Sequence, residues 1–163
     1  MSVAMPTDPD LLAQGCADMM WQGDMASQKL GLVIDDVSPG KAQLSLTVND
    51  NMVNGHDMAH GGYIFLLADA TFAYACNSRN SYAVAQNCNV TFLKPGRRGD
   101  RLTARAAERQ LSGRTGIYDV EVTNQDGVTI AEFRGLSRIV PGQYFPDGKK
   151  QDQVAKGTAQ PTQ

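Results

Sequence analysis

One carboxylate stands alone in the most apolar stretch of the chain. Residues 60–78, HGGYIFLLADATFAYACNS, carry one charge in 19 residues, and that charge is Asp69. Burying a carboxylate costs several kcal/mol unless hydrogen bonds or a dipole compensate it, so an acid kept there points to a chemical task. The alternative is a structural Asp bonded to backbone donors or to an arginine. A carboxylate in such a place can attack a carbonyl carbon or deprotonate the water that does. That chemistry also needs a donor for the developing oxyanion. Gly61 and Gly62 open the same run. At a helix start the free backbone N–H groups and the macrodipole favour negative charge, and glycine lets a ligand approach the backbone. The Gly61 N–H is the expected oxyanion donor. For His60, which precedes it, capping the helix and direct catalysis fit equally well.

His56, Asp57 and His60 also read as a metal set, but the chain has only 2 histidines, and these sit around a loop. A catalytic metal site needs about three protein ligands with reliable geometry, so no metal is expected. Cys16, Cys76 and Cys88 are odd in number and lack CxxC spacing, which fits a reducing cytosol. Cys76 and Cys88 have no basic neighbour in sequence and are expected in the core. Charge is distributed unevenly. Residues 1–69 hold nine Asp against Lys29 and Lys41, whereas residues 94–114 hold Lys94, Arg97, Arg98, Arg101, Arg105, Arg109 and Arg114 against Asp100 and Glu108. Such a segment attracts a compact polyanion such as a nucleotide or a coenzyme A phosphate, or else it is a solvated strand face.

The elements that must position these groups follow from the pattern. Residues 10–22 suggest an amphipathic helix capped by Asp8 with Pro9 at its first position, and residues 24–30 a second short turn closed by Gly31. Residues 32–37 and 42–48 read as a hairpin around Pro39-Gly40. After an Asn-, Asp- and Gly-rich loop comes the run containing Asp69, apolar all round and so expected to be enclosed on every side. Residues 82–93, 101–111, 116–123 and 128–140 are four more strands, separated by KPGRRGD, SGRT and NQDG. Together they predict an α+β fold, an antiparallel sheet of five or six strands wrapped around a long central helix.

The 163 residues amount to one domain, and 42 % hydrophobic with 20 % charged residues is a globular balance. The net charge of -2 argues against a protein that lives on nucleic-acid phosphates. The opening residues lack the basic start and apolar stretch of a secretory signal, and the longest apolar run is shorter than the ~20 residues of a membrane helix. Neither a nucleic acid nor a membrane is an expected partner. We expect residues 1–31 to form a helical segment packed on the domain, residues 32–141 the domain itself, and residues 142–163 a disordered tail.

A hairpin, a buried helix and then long strands is the order of the hotdog fold. The run NGHDMAHGGYIFLLADATFAYACNS and the later stretches NVTFLKPGRRGD, GRTGIYDVEV and FRGLSRI resemble the phenylacetate-pathway acyl-CoA thioesterases of the hotdog superfamily. An Asn six before the His, His-Gly-Gly at the helix start and Asp nine after the His coincide here. The resemblance implies hydrolysis of a phenylacetyl-type or ring-hydroxylated acyl-CoA, with no cofactor beyond the coenzyme A of the substrate. It assigns the nucleophile or base to Asp69, carbonyl polarisation to Gly61, and the positioning of water or substrate to Asn54. It puts Lys94, Arg97 and Arg98 at the nucleotide-contacting edge, with Gly62 among the substrate contacts. It further implies a cytoplasmic homodimer with shared active sites, paired again into a tetramer. A hotdog hydratase or dehydratase, in which His60 would move a proton, and a non-catalytic acyl-CoA-binding regulator are the alternatives. Eight residues separate Gly61 from Asp69, about 12 Å along a helix axis, so one carbonyl cannot touch both groups of one chain.

Overall fold

Asp8 starts the first helix. Its carboxylate accepts hydrogen bonds from the N–H groups of Asp10 (2.9 Å) and Leu11 (3.0 Å), and Pro9, whose missing N–H costs nothing here, takes the first helical position of α1, Pro9–Trp21. The computed structural model describes residues 4–146. Asp24 caps α2, Met25–Leu30, by accepting from Ser27 N–H at 3.1 Å, and Gly31 ends it at φ 77°. The chain continues as β1 (Val33–Ser38), β2 (Lys41–Thr47), a 3-10 turn (Asp50–Met52), α3 (Gly61–Cys76), β3 (Ala83–Phe92), β4 (Arg101–Ser112), β5 (Thr115–Thr123) and β6 (Thr129–Ile139).

The six strands form one sheet in the order β1-β2-β4-β5-β6-β3, antiparallel throughout. β2 and β3 lie far apart because the 16 residues of α3 span about 24 Å and carry the chain across the sheet. This is the expected hotdog architecture, with six strands among the described residues. Leu67, Ala68 and Phe72 of α3 are buried against Leu44, Leu102, Val120 and Phe133 of the sheet. The approach is close at Gly135 of β6, where a Cβ would lie 2.8 Å from the Phe72 ring. The Phe72 ring in turn meets Tyr118 and Phe133 at centroid distances of 5.5 and 5.9 Å.

Two expectations need correction. The helix is not enclosed on every side. Gly62, Phe65, Leu66, Asp69, Ala70 and Ala73 recur at helical spacing, and all are half-buried or exposed. One curled sheet covers part of a helix, and α1 and α2 border the remaining face without closing it. The second correction concerns the end of the chain. Residues 142–146, expected in a disordered tail, pack back on the fold. Phe145 is only 4 % exposed, and its burial contributes about 1.5–3 kcal/mol. The rest of the expected tail, 147–163, lies outside the described residues, as do residues 1–3. No helix among the described residues is long and apolar enough to cross a membrane.

Candidate functional site

The loop before α3 is built around two side chains. Asn54 Oδ1 accepts from His56 N–H (2.9 Å) and Met58 N–H (3.3 Å), which folds the loop so that Val53 pairs with Ala59. The Asn54 Nδ2 amide has no partner among the described residues. His60 is the helix cap: its backbone is extended, and its Nδ1 accepts from Gly62 N–H at 2.9 Å. The capping reading of His60 thus has a geometry behind it, and Nε2 is left for the other. The cap also separates the two glycines. Gly62 N–H is taken by the cap, whereas Gly61 N–H has no partner among the described residues and is the free donor of the first turn. Both positions are sterically tight. A Cβ at residue 61 would lie 2.9 Å from the Phe92 ring, and one at residue 62 would lie 3.2 Å from His60 Nδ1.

Gly61 opens on a cavity of about 470 Å³ lined by Asn54, Ile64, Phe92 and Lys94. Asp69, two turns along α3, opens on a second cavity of about 470 Å³ bounded by Met20, Phe72, Tyr82 and Tyr144. Within one chain, then, the donor and the acid lie in different cavities. The Asp69 carboxylate has one hydrogen bond among the described residues, from Cys88 Sγ to Oδ1 at 3.7 Å. Among the described residues no arginine and no backbone donor reaches it. Burial raises its pKa above the ordinary carboxylate value, and the Cys88 bond partly offsets the rise. Cys88 itself is pushed up to about 11 by burial and by the neighbouring Asp69 charge, so its thiol stays protonated and able to donate at neutral pH. Sequence reading assigned Cys88 to the core and missed this contact. Only the placement of β3 alongside α3 reveals it.

The basic segment divides. Lys94 lines the Gly61 cavity, and Arg97 is exposed, its backbone N–H bonded to Asp100 at 2.7 Å. Arg98 is held by Asp50 and, at 2.8 Å, by Asp57, so it ties the turn at 97–100 to the loop before α3. Arg101 reaches Asp35, and Arg109 and Arg134 share Asp119, the partners of a solvated sheet face. Among the described residues, no three His, Cys, Asp or Glu side chains gather into a metal-sized cluster.

Residues 56–131, which include the cap, Gly61, Asp69 and Cys88, match the thioesterase superfamily. The acyl-coenzyme A thioesterase PaaI of Escherichia coli (strain K12) is 45% identical over 126 residues, covering 77% of this chain and 90% of that protein. The solved structure of E. coli PaaI, from the phenylacetic acid degradation operon, superposes with a TM-score of 0.82 at 43% identity, covering 83% of this chain and 99% of that one. A Streptococcus mutans protein solved with acetyl-CoA bound superposes with a TM-score of 0.66 at 27% identity over 69% of this chain and 90% of that one. With the sheet-wrapped helix, its capped glycine start and its half-buried acid, the chain belongs to the thioesterase superfamily as a thioester hydrolase of the hotdog fold.

Proposed function

We propose that this protein hydrolyses acyl-CoA thioesters whose acyl group is phenylacetyl or ring-hydroxylated phenylacetyl. The observation that carries this reading is Asp69, a carboxylate with a single weak donor, facing an apolar cavity on the uncovered side of α3. Water adds to the thioester carbonyl, the C–S bond breaks, and the free acid and the coenzyme A thiol leave. Asp69 serves as the nucleophile or as the base that activates water. Gly61 N–H takes the oxyanion, Asn54 presents its unpaired amide to the same cavity, and His60 holds the turn that aims Gly61. Lys94, which lines the Gly61 cavity, and the exposed Arg97 would meet the nucleotide phosphates. A dehydratase would need His60 as a proton carrier through Nε2, the ring nitrogen not taken by the cap, and the family match favours the hydrolase.

The distance between Gly61 and Asp69 supports a homodimer in which each site combines one group from each chain, with a dimer of dimers as the larger assembly. β3 is an edge strand of 10 residues without proline, lysine or any other charge, and Val84 and Phe92 on it are each 51 % exposed. An edge of this length invites a second strand, and a two-fold copy of β3 would also bring another chain over the open face of α3. The three free thiols fit a cytoplasmic enzyme.

The test is Asp69→Asn, which keeps shape and removes charge. Turnover of phenylacetyl-CoA is expected to fall by about 10²–10⁴-fold. The fold should gain stability, and the sign follows from the raised pKa. A carboxyl whose folded pKa exceeds its unfolded one destabilises the protein when charged, so Asp69→Asn melts higher than wild type at pH 7. The difference shrinks as the pH falls through the raised pKa. A folded Asp69→Asn protein with wild-type turnover would sink the assignment.

A further inference from the structure

The cavity beside Asp69 is not built by the helix and sheet alone. One side is α3, through Asp69, Phe72 and Ala73, and Tyr82 and Tyr144, the second of which comes from the segment that follows β6, also line it. The two tyrosine rings meet edge to face at a centroid distance of 4.7 Å. The Tyr144 hydroxyl donates to Asn77 Oδ1 at 2.8 Å, and Asn77, which caps the C-terminal end of α3, is fixed by bonds to the Ala73 carbonyl and to both backbone groups of Ala83. Asn77 lies eight residues beyond Asp69, about 12 Å along the helix axis, and the tyrosine wall is tied to it through the Tyr144 hydroxyl.

The segment that brings Tyr144 there is fastened on both sides of it. Before it, Val140 N–H donates to the Tyr82 carbonyl (2.8 Å) and Tyr82 N–H to the Gly142 carbonyl (3.2 Å). Gly142 sits at φ 131°, and a Cβ there would lie 2.1 Å from the Tyr82 ring, so only glycine lets the segment pass. After it, Phe145 is buried against Gly15 of α1, where a Cβ would meet its ring at 2.9 Å. The buried Asn80, at φ 56°, clasps the Phe145 backbone in both directions, donating to its carbonyl and accepting from its N–H, each at 2.8 Å. Phe145 is the anchor. Tyr144, its neighbour, faces the cavity.

We infer that residues 140–146 form a specificity strap that closes the acyl cavity with the Tyr82–Tyr144 pair and restricts the enzyme to acyl groups ending in a single ring, against long unbranched chains. The inference rests on the reading of Asp69 as the group that faces the thioester. Size supports it: about 150 Å³ holds one benzene ring, and the 470 Å³ here leaves room for a ring and its short arm. A long chain starting at Asp69 runs into the tyrosine wall. A ring meets the aromatic edges that suit it.

The experiment compares phenylacetyl-CoA with dodecanoyl-CoA by thiol release, for the full chain and for Tyr144→Ala, Tyr144→Phe and Phe145→Ala, each with thermal melting. Wild type is expected to prefer phenylacetyl-CoA. Tyr144→Ala should lower kcat/KM for phenylacetyl-CoA about tenfold and raise it for dodecanoyl-CoA, shifting the ratio by more than tenfold. Phe145→Ala, which frees the anchor, should shift the ratio in the same direction, and Tyr144→Phe, which keeps the ring, should retain the wild-type order. Tyr144→Leu takes the place of Tyr144→Ala if the latter does not fold. Equal change for both substrates in a folded variant, or a wild type that takes both equally, overturns the strap. Absence of thiol release from any acyl-CoA overturns the hydrolase reading instead. The strap is then read from calorimetric binding of the same two compounds, where the same shift supports it and equal weakening overturns it.

Discussion

Asp69 is set by two opposed effects, and Cys88 is the smaller of them. Burial disfavours the charged carboxylate, and the Cys88 thiol favours it by donating to Oδ1. Cys88→Ala removes the favourable part alone, so the Asp69 pKa should rise further and the acid limb of kcat/KM against pH should move to higher pH. Cys88→Ser supplies a stronger donor and should bring the limb back to the wild-type position or below. A profile that stays put in Cys88→Ala, with kcat/KM changed only by a constant factor, would make Cys88 a packing residue and nothing more. At this scale the sequence was informative where the signal is local. A lone acid in an apolar run, paired glycines and a histidine three residues before Tyr63 can be seen without a fold. His60 stayed open between two roles because the choice depends on where one ring nitrogen points. Cys88 was opaque because its importance comes from a strand 19 residues away in sequence lying beside α3.

The elements are nearly all where the pattern puts them, since caps, turns and alternation are local too. Asp8, Asp24, Gly31 and Gly40 mark boundaries that the structure keeps to within a residue or two. What the pattern could not supply is order across the sheet. β3 sits at the edge beyond β6 because α3 carries the chain there, and the open face of α3 follows from how far one sheet can curl. The Asn80 clasp that orders residues 142–146 is likewise a contact across 65 positions. The turn between β3 and β4 gives the element-scale prediction. Lys94 and Arg97 have side chains without a partner among the described residues, so if they meet the phosphates, replacing both by Ala should raise KM for acyl-CoA severalfold, weaken its salt dependence and leave kcat nearly unchanged. A short acyl thioester without the nucleotide should not register that change. Arg98→Ala should behave differently. It releases Asp50 and Asp57 and loosens the loop that carries Asn54, so it should affect both substrates alike. If Arg98→Ala reproduced the nucleotide-dependent pattern of the double variant, the division between binding and bracing would fail.

At the scale of the whole molecule, the proposed roles of Gly61 and Asp69, which line separate cavities, would make assembly a condition of catalysis. The nucleophile and the oxyanion donor must each come within about 3 Å of the reacting group. Two groups about 12 Å apart on one rigid helix cannot do so together. An antiparallel copy of α3 across a two-fold axis would set Gly61 of one chain opposite Asp69 of the other, and the exposed β3 edge is the surface that would hold the copies in register. Complementation tests this directly. Asp69→Ala and Gly61→Pro are each expected to be inactive, the first for want of the acid and the second for want of the N–H. Residue 61 is the first helical position, where proline fits the backbone, and the ring that its side chain would meet belongs to the half-exposed Phe92, which can turn aside. Gly61→Pro should therefore fold, as its melting temperature will tell. Co-refolding the two variants in equal amounts makes about half the dimers mixed, and each mixed dimer has one site with both groups intact and one with neither, so recovery should be on the order of a quarter of wild-type activity. Full-length mixed dimers identified by mass but showing no recovery would mean that each chain carries its own complete site, and the geometry of α3 would then need another explanation.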